Sequence, residues 1–290
     1  MLSRGVEQLG QRVSKINFES EFQGQFGSFG GEDGRFMWPR SIDTDQDGRV
    51  YVSDEYLNRI SIFDAEGAFR YHFGRTGSEE GELNGPSGIA FDSQNSVWVV
   101  DSMNHRIQSF SVIGEFQFGF GRQGDSDGNF EMPWGICIDN FDNIYVADWG
   151  NNRVQKFSST GELLVKFERS SSGVGDLKGP SGVAVDSDGD VYVTDWGNHR
   201  VQIYDAKGRY ITALIGDAQD PSPWTQTYIN ANPEILKARR RADMEPEWRF
   251  HRPVAVNVDS SDRIVVLESY RHRIQIYNKL KNYEEHSLNL

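Results

Sequence analysis

An all-β fold of four-stranded blades set around an axis, a β-propeller, is what this 290-residue chain predicts from three observations. The first is a 47-residue repeat. Arg59, Arg106, Arg153 and Arg200 keep that step, as do Pro39, Pro86, Pro133 and Pro180, and Asp54, Asp101, Asp148 and Asp195. A fifth copy, with Pro253, Glu268 and Arg273, follows after 73 residues, one period plus 26. The second observation is that each period holds four short β-branched and aromatic runs divided by Gly, Asp and Asn clusters, the pattern of successive hairpins. The third is that helical periodicity is absent from the repeats. Periods of this size are supersecondary units, and four strands repeated radially make a propeller blade.

Within one period the elements run in a fixed order. Pro180-Ser-Gly-Val-Ala-Val185 is a first strand, and Asp186-Ser-Asp-Gly-Asp190 is the turn after it. Val191-Tyr-Val-Thr-Asp195 is the second strand, followed by the turn Trp196-Gly-Asn. Arg200-Val-Gln-Ile-Tyr204 is the third, an Asp-Ala-Lys-Gly turn follows, and Tyr210-Ile-Thr-Ala-Leu-Ile215 closes the unit.

The recurring Pro-x-Gly-Ile/Val, Val-Tyr-Val-x-Asp and Asn-His-Arg-Ile/Val-Gln segments resemble the NHL repeat family, from about Arg12 to Tyr277 apart from one insertion. Members of that family are usually six-bladed, so the resemblance implies six NHL-type blades, with five as the alternative. The expected division is a single domain over 1–290: a part-blade at 6–35, full repeats at about 36–82, 83–129, 130–176, 177–215 and 250–290, and a helical insertion at 216–249. In the insertion, Asn232 followed by Pro233 reads as an N-cap with proline at the first helical position. Ile235, Leu236, Ala238 and Ala242 then give one short helix with an apolar side.

Composition narrows the function. A hydrophobic share of 37% with 12% aromatics supplies a globular core. The single cysteine, Cys137, excludes an internal disulfide framework. The start, Met1-Leu-Ser-Arg-Gly-Val-Glu-Gln, has no apolar stretch like a signal peptide, and no segment reads as a membrane span. A soluble, cytoplasmic protein is the expectation. The formal net charge of −13 argues against a nucleic-acid surface, which needs clustered Lys and Arg.

Strands of a blade run alternately up and down, so the turn between the second and third strands shares a face with the link between blades. This upper face collects Glu55-Tyr56, Ser102-Met103, Trp149-Gly150, Trp196-Gly197 and Ser269-Tyr270. Six of the seven tryptophans (Trp38, Trp134, Trp149, Trp196, Trp224 and Trp248) fall on it or on the insertion. Loops on a rigid scaffold carry binding, and aromatic rings anchor interfaces. Trp149 and Trp196 sit in repeat register and read as packing between blades, whereas Trp38 and Trp134 depart from their counterparts. The innermost strands alternate. Ser41, Gly88, Gly135, Gly182 and Ala255 point to the axis, with Asp43, Ala90, Cys137, Ala184 and Asn257.

The Asp54/Arg59, Asp101/Arg106, Asp148/Arg153 and Asp195/Arg200 pairs face each other across hairpins, an architectural role worth up to ~1 kcal/mol each. Asp43-x-Asp45-x-Asp47-Gly48 imitates the start of a calcium loop, but it aligns with an ordinary hairpin turn and has no flanking helices. His105, His199 and His272 are repeat positions and read as packing residues; His72 and His251 are single.

Among relatives of this type, the peptidyl-hydroxyglycine lyase places zinc histidines directly after the proline of an inner strand. Here those places hold Arg40, Ser87, Trp134, Ser181 and Val254, so the zinc site does not carry over. Lactonase-type propellers use channel acids around calcium, of which Asp43, Asn257 and Glu268 are a thin version. The expected function is therefore a non-catalytic scaffold or sensor that binds a protein or peptide on the upper face through Trp38, Arg40, Trp134, Arg252, Glu268 and Tyr270. No cofactor is expected. The alternative is a metal-dependent lyase or lactonase-type hydrolase holding a divalent cation such as calcium near Asp43 and Asn257.

Overall fold

The computed structural model describes the chain except residues 1–2, 8–10, 18–20, 168–174, 220–222 and 280–290, and gives the backbone alone for 3–7, 223 and 224. An N-terminal antiparallel sheet has three strands, β1 (Ser3–Glu7), β2 (Arg12–Ile16) and β3 (Phe22–Phe26). Four four-stranded blades follow. Blade I is β4 (Pro39–Thr44), β5 (Val50–Asp54), β6 (Arg59–Phe63) and β7 (Phe69–Phe73). Blade II is β8 (Pro86–Phe91), β9 (Val97–Asp101), β10 (Arg106–Phe110) and β11 (Phe116–Phe120). Blade III is β12 (Pro133–Ile138), β13 (Ile144–Asp148), β14 (Arg153–Phe157) and β15 (Leu163–Phe167). Blade IV is β16 (Pro180–Val185), β17 (Val191–Asp195), β18 (Arg200–Tyr204) and β19 (Tyr210–Leu214). Blade V has three described strands, β20 (Pro253–Val258), β21 (Arg263–Glu268) and β22 (Arg273–Asn278).

Six blades was the expectation, and the structure corrects it to five. A blade here opens on a proline-led inner strand, and only β4, β8, β12, β16 and β20 are of that kind among the described residues. The N-terminal sheet lies against blade I, with Val13 in one core with Phe36, Val50, Val52 and Phe63, but has no such strand. Among the described residues, no further blade covers the far side of blade V. Ile274 and Ile276 are 36% and 43% exposed, whereas Ile60 and Ile62, at the same places in blade I, are sealed at 0% by blade II. The insertion also differs from expectation. It forms three short helices, α1 (Pro223–Asn230), α2 (Pro233–Arg239) and α3 (Glu245–Trp248), of which only α2 was legible. No described helix is long and apolar enough to cross a membrane.

Local chemistry explains the blade. Proline at the head of an inner strand has no N–H for the ladder, and pairing skips there: Pro133 faces Asp148, then Ile136 faces Val146. Asp148 in turn faces Arg153 across the next hairpin. Inner strands pack backbone to backbone around the axis, and glycine permits it. A Cβ on Gly135 would stand 2.7 Å from the Ser181 carbonyl and 2.8 Å from the Gly182 Cα.

Two polar staples hold the links between blades. In the first, the Asp at the end of the second strand collects the incoming link. Asp148 accepts from the Glu131 N–H (2.8 Å), Asn151 Nδ2 (2.8 Å) and Arg153 Nε (2.9 Å), and Arg153 donates onward to the carbonyls of Asp125, Ser126 and Asn129. Asp101/Arg106 and Asp195/Arg200 repeat the ion pair at 2.8 Å each, and Glu268 pairs with Arg273 in blade V. Blade I departs. Asp54 and Arg59 face each other, yet Asp54 accepts four backbone N–H groups while Arg59 donates to the carbonyls of Gly31, Glu32 and Arg35. Leu57 stands there in place of the Asn of blades II to IV, and Ser61 in place of the Gln of the other blades; Arg59 Nε and Ser61 Oγ are left buried without partners.

The second staple uses the Asn or His just before each arginine. Asn58, His105, Asn152 and His199 all have left-handed backbones, a conformation Asn and His tolerate better than most residues. Each accepts the N–H of the residue before the next blade's proline, from Gly85, Met132, Gly179 and Arg252 at 2.7, 3.1, 2.8 and 3.1 Å. The repeat histidines His105 and His199 thus present Nδ1 as an acceptor.

The end of blade V is tied down on the opposite face. Lys279 Nζ donates to Asp186, Asp188 and Asp190 of the blade IV turn at 2.6, 2.8 and 2.9 Å. Burial pulls this ammonium down, but the three carboxylates outweigh that and hold it above its ordinary range. Lys279→Met strands three carboxylates, Asp186 among them fully buried, and is expected to cost about 1–3 kcal/mol. For a chain of this size that is a melting shift of several degrees, on the order of 2–4 °C per kcal/mol. An unshifted thermal melt would contradict the tether.

Candidate binding face

Two arginine–aromatic stacks stand on the upper face. In the first, Arg40 on β4 forms an ion pair with Glu55 of the β5–β6 turn, and its guanidinium lies 4.9 Å from the centroid of the Trp134 ring. Arg40 belongs to blade I and Trp134 to blade III, so this contact passes over Ser87 of blade II, which itself donates to the Trp134 carbonyl at 2.8 Å. Trp149 lies 6.3 Å from Trp134. Beside them Trp38 and Tyr56 meet edge to face at 5.7 Å and remain 49% and 58% exposed. A cation over an aromatic face contributes about 0.5–2 kcal/mol, so the Arg40 stack is held in place by the fold itself.

The second stack lies between blades IV and V. The Arg252 guanidinium is 4.5 Å from the Trp196 ring centroid and 5.9 Å from that of Tyr270. Tyr270, 64% exposed, stacks on His251 at 4.3 Å, and His251 lies 4.8 Å from His199. Burial first, then the nearby His199, Arg271 and Arg252, lower the His251 pKa, which favours the neutral ring. The Arg252 backbone is left-handed (φ 56°), with its N–H on His199 and its carbonyl accepting from the Ser269 N–H and hydroxyl.

The expected contacts therefore separate. Trp38, Arg40 and Trp134 gather in one stack, and Arg252 and Tyr270 in the other. Glu268 joins neither. It is 1% exposed and consumed by the His251 N–H, Arg273 and Gln275, so its place in the contact set is corrected to an architectural one. Tyr56, Glu55, Trp196, His199 and His251 were missed as members. Trp196 has the clearest sequence signal, its repeat position, but that signal read as packing. The Trp224 side chain lies outside the described residues.

On the inner strand β4, loss of water around half-buried Asp43 pushes its carboxyl up to about 6, against hydrogen bonds from the Thr44 and Phe91 backbones. Asn257 is exposed, and no described hydrogen bond joins it to Asp43. The Cys137 thiol is pushed far up by burial, so it is no ready nucleophile. Among the described residues no group of three or more His, Cys, Asp or Glu is placed to hold a metal ion. In the calcium-like turn, Asp45 and Asp47 instead bind Arg49 at 2.6 and 2.9 Å. The insertion leaves Lys237, Arg240 and Arg241 exposed to solvent, while in the acidic links between blades Glu82 holds Arg75 and Asp127 holds Lys166.

Comparison with known proteins follows the repeats. The NHL repeat family model matches residues 177–204 and 250–277, and the SMP-30/Gluconolactonase/LRE-like region model matches 39–174. No curated protein matches the chain. Among solved structures, virginiamycin B lyase from Staphylococcus aureus is 15% identical with a TM-score of 0.58, over 90% of this chain and 72% of that one. A protein of unknown function from Bacteroides thetaiotaomicron is 17% identical with a TM-score of 0.62, over 96% and 66%. A nidogen/laminin complex is 16% identical with a TM-score of 0.58, over 96% and 92%. Likeness at such identity shows the fold alone. With NHL repeats matched over blades IV and V, and the same Pro, Asp and Arg spacing running through the blades before them, the chain is an NHL-repeat β-propeller.

Proposed function

We propose that this propeller is a non-catalytic scaffold or sensor that binds a protein or peptide partner on its upper face. The observation that carries the reading is the pair of arginine–aromatic stacks, whose outer rings Trp38, Tyr56 and Tyr270 stay about half exposed or more. Trp, Tyr and Arg are the side chains that dominate interface energies, and here they stand on rigid turns between staples. Arg40 and Trp134 form the floor of the first stack, and Trp38 with Tyr56 its rim.

The test is affinity capture from source lysate with the intact chain and a Trp38→Ala/Tyr270→Ala form side by side, each eluate read by mass spectrometry. A protein captured by the intact chain and lost from the variant, at unchanged melting temperature, is the expected result. Equal capture by both would remove the upper face from the reading. A second reading, a metal-dependent lyase or lactonase-type hydrolase at the channel mouth, draws on the Asp43 carboxyl alone. Metal analysis of protein purified without chelator decides it: a stoichiometric ion supports that reading, and trace metal counts against it.

A further inference from the structure

Resting on the partner-binding reading, we infer that the blade IV–V stack is a carboxylate receptor, and that its occupant is an acidic segment of a partner polypeptide. The two upper-face stacks differ in one respect. Arg40 has its counter-ion built in, because the β5–β6 turn of blade I supplies Glu55. The repeat positions equivalent to Glu55 in blades IV and V are Trp196 and Ser269, so Arg252 receives an aromatic face where Arg40 has a carboxylate.

Neighbouring cations are already engaged. Arg249 pairs with Glu245, and Arg271 donates to the carbonyls of Glu247 and Arg249. Arg252 is exposed and makes no ion pair among the described residues. A guanidinium held over an aromatic ring and outside any ion pair keeps N–H donors for a ligand, and its planar fork matches a carboxylate through two parallel hydrogen bonds.

The position is also fixed in advance. The left-handed backbone of Arg252 is locked by His199 on one side and Ser269 on the other, so little freedom is lost when a ligand binds. Charge narrows the occupant further. On a chain of net charge −13, the stretch 237–271 carries eight Lys and Arg against six Asp and Glu, a local excess of two positive charges. An acidic segment is repelled less here than by the rest of this protein, with the exposed Arg252 as the cation it meets. Tyr270 and Trp196 flank the fork with apolar area for the residues next to the acid.

The experiment is panning of a randomised heptapeptide phage library on the intact chain, on Arg252→Glu, and on Lys207→Glu, a charge reversal at an exposed turn of blade IV. Peptides enriched in Asp and Glu on the intact chain and on Lys207→Glu, with that bias lost on Arg252→Glu, are expected. A synthetic copy of a selected peptide should bind Arg252→Glu about tenfold more weakly or worse. Selected peptides without acidic bias, or with the same bias on Arg252→Glu at native melting temperature, would overturn the receptor while leaving the partner-binding reading standing. Selection of no peptide at all would overturn both. Displacement of the acidic peptide by free glutamate at equal molar concentration would assign the site to a small carboxylate and overturn the polypeptide occupant.

Discussion

Asp148→Ala is expected to destabilise the propeller by about 3–5 kcal/mol, because it leaves a buried guanidinium without its counter-ion. Asp148 is 0% exposed and Arg153 is 5% exposed, so neither has water to fall back on. Burial pushes the Asp148 carboxyl above its ordinary range, although Asn151, the Glu131 N–H and Arg153 pull against that. Removing the carboxylate also frees the Glu131 N–H, so the link entering blade III loses its anchor at the same stroke. The measurement is chemical denaturation of Asp148→Ala, Arg153→Met and the double variant. The double variant should be closer to the parent than Asp148→Ala is, since it removes the stranded charge as well as its partner. Arg209→Met is the control. Arg209 is 78% exposed, and its surface pair with Asp205 contributes at most about 1 kcal/mol. A cost of Asp148→Ala no larger than that of the control would reduce the staple to a surface ion pair.

This staple also marks how far the sequence could be read. Asp and Arg bracketing a four-residue turn must face each other, because side chains on paired strands are fixed by register, and Asp148 facing Arg153 follows from the 47-residue step. That the same Asp gathers the link N–H seventeen residues upstream depends on how the link folds back, which no spacing encodes. The histidines were legible as repeat positions, but their acceptor role toward the next blade needs two blades in contact. The Arg40–Trp134 stack is of the same kind, joining side chains from blades I and III. In the insertion, Asn232 and Pro233 announce α2, whereas Pro223 in α1 and Pro246 in α3 look like breaks in sequence although each begins or sits inside a helical turn. The blade count rested on what the family usually builds. It turned on whether the N-terminal sheet owns a proline-led inner strand, and among the described residues it does not.

Asp43→Asn is expected to stabilise the protein near neutral pH, an unusual direction for a substitution inside a fold. The folded carboxyl titrates near 6, above the ~3.9 of an unfolded chain, because water is lost around it. The folded state therefore binds this proton more tightly than the unfolded state. That contribution is fully present below about pH 4 and is lost as the pH rises through 6. At pH 7 and above, the parent carries a half-buried carboxylate that has lost part of its water. A shift of about two units sets a ceiling of roughly 3 kcal/mol, and the partial access of water at Asp43 reduces it to about 1–2 kcal/mol. Asparagine keeps an oxygen to accept the Thr44 N–H and carries no charge. The gap between variant and parent should thus be several degrees in melting temperature at pH 7.5 and close to zero at pH 4. A gap that does not change with pH would show that Asp43 titrates normally in the folded chain. A variant less stable than the parent at pH 7.5 would mean that the carboxylate has a cationic partner in solution, which is what the metal-dependent reading requires and the scaffold reading does not.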